Sequence, residues 1–81
     1  MREYPFDISI YPDNSPSEFQ KACERIEHAY PELIKERLLV DVDGSTIQIY
    51  KRDEEEVVIY DDYEVGAVFA MSDIDVRSAL Q

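Results

Sequence analysis

The positions of apolar and polar residues predict five short strands. Apolar side chains recur at every second residue in 4–11, and again in a second part of the chain that runs from Leu38 to Met71. A period of two is typical of a strand that buries one of its faces. Turn-forming or charged residues interrupt the second part, so we expect its strands at 38–43, 46–50, 57–60 and 65–71.

The same alternation predicts the directions of side chains. Leu38, Val40 and Val42 are expected to point towards the core, which directs Asp41 and Asp43 away from it. The remaining apolar positions of the alternating pattern are Phe6, Ile8, Ile10, Ile47 and Ile49. For 57–60 two alternatives stay open, since the inward pair is either Val57 with Ile59 or Val58 with Tyr60.

One amphipathic helix is predicted after the first strand. Ser15, Pro16 and Glu18 match a capping box, with Ser15 as the N-cap, Pro16 at the first helical position and Glu18 reaching back. Residues spaced three and four apart then form one apolar stripe, which consists of Phe19, Ala22, Cys23, Ile26 and Tyr30. A second, short helix is expected to start near 72–75 and to run through Leu80.

These elements predict an α+β fold. An antiparallel sheet of four to five strands, in the order β-α-β-β-β-β, would carry the main helix on one face, and an optional short helix would end the chain. A helix on one face of a sheet lets both bury their apolar sides, which is a two-layer sandwich. Residues 1–81 are expected to form a single globular domain, because 81 residues support one core.

Composition favours one cellular compartment over others. The single cysteine, Cys23, cannot form an intrachain disulfide, which favours a reducing compartment. The amino terminus lacks an apolar run of signal-peptide length, and no segment approaches the roughly 20 apolar residues of a membrane span. We therefore expect a cytoplasmic protein, which would lie in the host cytoplasm if a phage encodes it.

The segment Asp41-Val42-Asp43-Gly44 has two interpretations. It resembles the nucleophile loop of haloacid-dehalogenase-type phosphatases, a likeness that implies Asp41 as nucleophile and Asp43 as acid and base beside a magnesium ion. That family follows the glycine with threonine, whereas here Ser45 comes before Thr46. Asp-Gly between two alternating runs is a strong hairpin signal. We predict a turn, with no metal, no cofactor and no enzymatic activity, and retain a metal-dependent phosphotransferase as the least favoured hypothesis.

Other candidate catalytic groups have simpler structural roles. Cys23 lies on the apolar stripe, where a free cysteine behaves as a small hydrophobic residue. His28, the only histidine, is five positions further along the helix and points to another side. Neither Gly44 nor Gly66 belongs to a phosphate-binding loop.

The charge of the chain is large and unevenly distributed. Its 19 acidic and 8 basic residues give a net charge of −11, which repels nucleic acid and anionic membranes and attracts basic protein surfaces. Nine acids and two bases lie within 41–64, which gives this segment a net charge of −7. We predict that this segment forms one outward-facing partner-binding patch composed of Asp41, Asp43, Asp53, Glu54, Glu55, Glu56, Tyr60, Asp61, Asp62, Tyr63 and Glu64.

The charge distribution favours a non-enzymatic inhibitor. Such a protein would bind a basic, nucleic-acid-binding partner or nuclease and block its nucleic-acid site, without binding nucleic acid itself. Anti-CRISPR proteins, anti-restriction proteins and immunity proteins against nuclease toxins are analogues in size and charge. The alternative is a structural or regulatory subunit that binds its partner through an apolar sheet edge at 65–71. Oligomeric state, genetic origin and weak calcium binding by the acidic loops stay open.

Overall fold

The computed structural model describes residues 3–81, so Met1 and Arg2 of the predicted domain lie outside the described residues. The main helix, α1, follows the first strand, and a single turn of helix, α2, ends the chain. In chain order the elements are β1 (Phe6–Tyr11), α1 (Pro16–Ala29), β2 (Ile34–Lys35), β3 (Leu39–Val40), β4 (Thr46–Arg52), β5 (Glu55–Asp62), β6 (Ala67–Ser72) and α2 (Arg77–Leu80).

The strands form one antiparallel sheet with the order β1-β6-β5-β4-β2, and β3 pairs with β4 beside β2. The first strand therefore lies next to the last one, while β4, β5 and β6 follow one another as a meander. The α+β sandwich is confirmed. The sheet has one strand more than expected, because Ile34 and Lys35, which lie outside the predicted strands, pair with β4.

Helix α1 starts at the predicted cap. Ser15 is in an extended conformation, and its hydroxyl accepts a hydrogen bond from the backbone N–H of Glu18 at 3.2 Å, which satisfies an N–H that the first turn leaves without a partner. Pro16 occupies the first turn, where its missing N–H costs nothing. The carboxylate of Glu18 does not reach back as expected but contacts Lys21 at 3.4 Å. The helix ends at Ala29; Tyr30 is its C-cap, and Pro31 follows.

The core lies between α1 and the middle of the sheet. Ala22, Cys23 and Ile26 are buried on the helix, as the apolar stripe predicts. The strands and the C-terminal segment contribute Ile8, Tyr50, Val57, Ile59, Ala70, Val76 and Leu80. The alternative left open for β5 is thereby decided, since Val57 and Ile59 face the helix.

Two predicted side-chain directions are wrong. In β4 the buried residues are Gln48 and Tyr50, at 3% and 1% exposure, whereas Ile47 and Ile49 lie on the side of the sheet away from α1. The phenol of Tyr50 is satisfied there, because it donates a hydrogen bond of 2.6 Å to the Oε2 atom of Glu27. A polar aromatic residue with a partner can therefore occupy the core position.

The predicted strand at 38–43 is also shorter and more exposed than expected. Only Leu39 and Val40 pair as strand, opposite Ile47 and Thr46. Leu38, Val40 and Val42 were expected in the core, but they are 45%, 66% and 103% exposed. A strand of two residues at the margin of the sheet has no helix above it to cover them.

The C-terminal helix is shorter than expected. It begins at Arg77 instead of near 72–75, and its N-cap, Val76, offers no side-chain hydrogen bond. The carboxylate of Asp75 accepts the backbone N–H of Arg77 and pairs with its guanidinium at 2.7 Å. Within residues 3–81, neither helix has the length and apolar character needed to cross a membrane.

Candidate functional site

The β4–β5 hairpin divides the predicted acidic patch between two ends of the sheet. Thr46 pairs with Asp61 at one end of the hairpin, and Arg52 pairs with Glu55 at the other. Six residue steps at about 3.4 Å place these ends roughly 20 Å apart. The expectation of a single continuous patch is therefore wrong, because residues 53–56 lie at one end, and residues 41–43 and 61–64 lie at the other.

The end that contains residues 53–56 has basic neighbours. Arg52 contacts Glu55 at 2.9 Å and Glu32 at 2.7 Å. The hydrogen bond from Arg52 to Glu55 is the main cause of the raised pKa of this guanidinium. Asp53 and Glu54 are exposed at the tip between the strands. Asp53 takes a positive φ of 56°, a conformation that aspartate tolerates better than most residues.

Lys51 and Glu56 add to the pairing at this end. The Nζ atom of Lys51 is 3.5 Å from the carboxylate of Glu36 and 3.9 Å from that of Glu56. Glu56 also accepts a hydrogen bond of 2.6 Å from the hydroxyl of Tyr4. Both basic residues of the segment 41–64 thus lie at this end of the hairpin, where four carboxylates share them.

The opposite end begins with the Asp-Gly turn. The backbone N–H of Asp41 donates to the carbonyl of Ser45 at 2.8 Å, and β3 and β4 pair on either side, so the predicted hairpin is confirmed. Gly44 has a φ of +89°, which favours a residue without a Cβ. The carboxylates of Asp41 and Asp43 accept backbone N–H groups from Val42 and Ser45, at 2.7 and 2.9 Å. The second of these bonds lowers the pKa of Asp43.

A second loop, between β5 and β6, lies against this turn. Asp62 holds the loop, because its Oδ1 atom accepts the N–H groups of Glu64 and Val65 at 2.9 and 3.0 Å. The N–H of Tyr63 donates to the hydroxyl of Ser45 at 2.8 Å. The two loops therefore hold each other in place, although 18 residues separate Ser45 from Tyr63 along the chain.

Asp61 is the exception among the predicted site residues at this end. It is only 2% exposed, and its Oδ1 atom accepts hydrogen bonds from the backbone N–H of Ser15 at 3.2 Å and the amide of Asn14 at 3.4 Å. Asp61 thereby fastens the start of α1 to β5. Burial removes its carboxylate from any surface that a partner could contact.

The remaining residues form what we term the loop-end surface, which consists of Asp41, Val42, Asp43, Asp62, Tyr63, Glu64 and Val65. None of the ion pairs within residues 3–81 involves a carboxylate of this surface. Apolar and aromatic side chains stand exposed among the acids, since Val42, Tyr63 and Val65 are 103%, 47% and 66% exposed. Tyr63 was predicted as a contact residue, but Val42 and Val65 were not, because Val42 was expected in the core and Val65 in a strand. Tyr60, the other predicted aromatic contact, lies on the sheet face away from α1, stacked on Phe69 with ring centroids 4.7 Å apart.

Two residues considered as catalytic groups, Cys23 and His28, lie in different parts of α1. Cys23 is buried in the core as predicted, and that burial raises the pKa of its thiol. It borders a cleft of about 320 Å³ between α1 and the β2–β4 region, together with Phe19, Leu38 and Tyr63. His28 is exposed at another side of α1. In residues 3–81, no three His, Cys, Asp or Glu side chains are grouped so as to hold a metal ion.

Comparison with protein-family models, with curated proteins and with solved structures finds no match to this chain.

Proposed function

We propose that this protein is a non-enzymatic inhibitor that binds a basic, nucleic-acid-binding protein or nuclease and blocks its nucleic-acid site. The observation that carries the proposal is the loop-end surface, where carboxylates outside the ion pairs of residues 3–81 surround exposed apolar side chains. Carboxylate oxygens accept hydrogen bonds from the same arginine and lysine groups that hold phosphates. The site of action would be the cytoplasm, in keeping with the single free cysteine.

The two loops supply different parts of such an interface. Asp41, Asp43 and Glu64 offer charge, which steers a basic partner and raises the association rate. Tyr63 and Val42 offer apolar area that a partner can desolvate, and aromatic residues are enriched among the side chains that dominate binding energies. Because Ser45 bonds to Tyr63, the loops are held together before binding, so less conformational entropy is lost on association.

Two double variants with equal charge test the assignment. Asp43→Asn with Glu64→Gln removes two charges from the loop-end surface, and Asp53→Asn with Glu54→Gln removes two from the other end of the hairpin. If the loop-end surface binds the partner, the first variant loses at least tenfold in affinity, about 1.4 kcal/mol, and the second loses less than threefold. Equal losses would show that only net charge matters and would contradict the assignment.

The partner is identified with the immobilised wild-type protein in a lysate of its native host. A basic nucleic-acid-binding protein should be retained and should elute with rising salt, since exposed charges are screened over about 8 Å at physiological ionic strength. The purified partner is then mixed with a fluorescent oligonucleotide, whose anisotropy should fall when the inhibitor is added. Retention of acidic or neutral proteins alone, or a ternary complex with the oligonucleotide still bound, would refute the inhibitor function.

The alternative, a structural or regulatory subunit, needs a different surface from the one first expected. The apolar run at 65–71 was the expected edge, but its β6 residues pair with β1 on one side and with β5 on the other. What favours this alternative is the apolar face of the sheet opposite α1. Charge reversal at Glu64, whose carboxylate belongs to the loop-end surface and does not border that face, separates the two functions, because a partner bound only through the apolar face would tolerate it.

A further inference from the structure

The sheet face opposite α1 is apolar, and neither helix of residues 3–81 covers it. Side chains alternate between the two faces of a strand, so the neighbours of the core residues Tyr50, Ile59 and Ala70 point to the other side. We term this side the outer face. Its apolar residues are Ile34, Leu39, Ile47, Ile49, Val58, Tyr60, Phe69 and Met71.

Strand register arranges these residues, apart from Ile34, in two rows across the sheet. In the first row Leu39 pairs with Ile47, Ile47 with Tyr60, and Tyr60 with Phe69. The first row therefore crosses four strands, or about 14 Å at a strand spacing of about 4.8 Å.

The second row lies two residues, about 6.8 Å, along the strands from the first. In it Ile49 pairs with Val58 and Val58 with Met71. Val58, in the middle, is 3% exposed, while the residues around it are half-buried. The rows form a continuous apolar area instead of isolated exposed side chains.

Acidic residues border both rows. On β5, Asp62 lies two residues beyond the row of Tyr60, and Glu56 lies two residues beyond the row of Val58, on the opposite side. Lys51 pairs with Glu56 on the same face, and its Nζ atom is 3.9 Å from the Glu56 carboxylate, so Glu56 already has a basic neighbour. Asp7 pairs with Met71 and is exposed at the end of the second row. The pKa of Tyr60 is raised by burial and then by the charges of Asp62 and Glu56, which agrees with carboxylates on either side of its ring.

The acidic residues at its border and the net negative charge of the chain restrict which partners can bind this face. A second copy of the chain would bring another net charge of −11 and would place its own border acids against these, which is unfavourable. A polar strand or loop would leave the two rows exposed. A complementary binding partner would have an apolar stripe as long as the first row, with positively charged residues on both sides of that stripe.

We infer that the outer face binds an amphipathic helix of a partner protein, whose apolar stripe lies along the two rows and whose flanking lysine or arginine residues face Asp7 and Asp62. A helix rises about 1.5 Å per residue, so roughly ten of its residues span the first row. Helix-in-groove recognition through residues spaced three and four apart is a common mode of peptide binding. None of the residues in the apolar rows belongs to the loop-end surface, which shares only Asp62 with the border of this face, so the inference does not depend on the proposed function.

The test uses a synthetic peptide long enough for about four helical turns, in which leucines occupy one helical stripe and lysines the remaining positions. A second peptide of the same composition has its leucines distributed around the helix. Titration of the isotope-labelled wild-type protein, followed by amide chemical shifts, should move resonances of β4, β5 and β6, and the striped peptide should bind at least tenfold more tightly than the redistributed one.

Variants locate the binding surface. Phe69→Ser should weaken binding of the striped peptide at least tenfold, and Ile49→Thr serves as the milder variant if the first one fails to fold. Val42→Ser, in the loop-end surface, should change binding less than twofold. Among single-charge variants, Asp7→Asn should weaken binding more than Glu54→Gln, because only Asp7 borders the rows.

Three results would overturn the inference. Equal affinity for the two peptides would mean that charge alone attracts them. Shifts confined to the loops or to α1 would place the binding site elsewhere. A concentration-dependent dimer of the wild-type protein, with shifts on the outer face in the absence of peptide, would identify a second copy as the occupant.

Discussion

Asp61→Ala should destabilise the fold strongly, although Asp61 lies within a run of surface acids in the sequence. The substitution leaves the partly buried N–H of Ser15 without its acceptor, whereas Asn14 keeps its bond of 2.6 Å to the carbonyl of Asp62. A hydrogen bond to a charged group contributes about 1.5–3 kcal/mol. The carboxylate also lies at the positive end of the α1 dipole, which adds roughly 0.3–1 kcal/mol. We expect a total loss of about 2–3 kcal/mol.

Urea denaturation followed by circular dichroism measures this loss directly. The midpoint should fall while the slope against urea stays constant, because the substitution does not change the surface that unfolding exposes. For a domain of this size, a loss of about 2–3 kcal/mol corresponds to a decrease in Tm of roughly 10–20 °C.

Glu54→Ala is the matched control, since Glu54 is an exposed acid at the other end of the hairpin. Its free energy of unfolding should change by no more than about 0.5 kcal/mol. If Asp61→Ala were as mild as this control, the fastening of α1 to β5 through Asp61 would be refuted. The result also affects binding studies, because a loss of affinity at Asp61 would report unfolding instead of a lost contact.

Three further predictions concern the core and the loops. Tyr50→Phe should lower the free energy of unfolding by about 1.5–3 kcal/mol at neutral pH. The hydrogen bond from Tyr50 and the contact with Lys35 lower the pKa of Glu27 from its ordinary 4.5, so the loss should be complete above pH 4.5 and should shrink as the pH falls through the lowered value. Urea titrations from neutral to acid pH measure this dependence. Gly66→Ala should cost about 1–2 kcal/mol, since the φ of +74° is strained for alanine although the space around it is open; an unchanged Tm would contradict this. Cys23 should react with a thiol reagent only at the rate of unfolding or local opening, and rapid labelling of the native protein would show that its burial is incomplete.

The local signals in the sequence predicted the elements well. The Ser15 cap, the apolar stripe of α1, the alternation in β1 and the Asp-Gly turn are each determined by residues within a few positions of one another. The faces of β4 were not predictable in this way. One face of β4 carries Ile47 and Ile49, and the other carries Gln48 and Tyr50. The face with Tyr50 can be buried because Glu27 of α1 accepts the hydrogen bond of its hydroxyl.

The division of the acids between two ends of the sheet follows from the predicted strands. Once 46–50 and 57–60 were expected to be antiparallel strands, the tip between them had to lie at the opposite end from 41–44 and 61–64. Burial of Asp61 could not be predicted, because it depends on the position of α1 relative to the end of β5. A run of charges along a sequence therefore indicates a surface patch only where no strand reverses within it.

Several of the acidic residues have structural roles. Around Arg52 and Lys51 the carboxylates form ion pairs, and Asp61 receives the N–H at the start of α1. Asp41 and Asp43 hold their turn, but asparagine accepts the same N–H groups without adding charge. The bond from Ser45 favours the ionised form of Asp43, but the carboxylates of the loop-end surface still repel one another. Exposed Val42 and Tyr63 add an apolar hydration cost at the same place. Both costs are removed when a basic partner with an apolar surface covers the two loops.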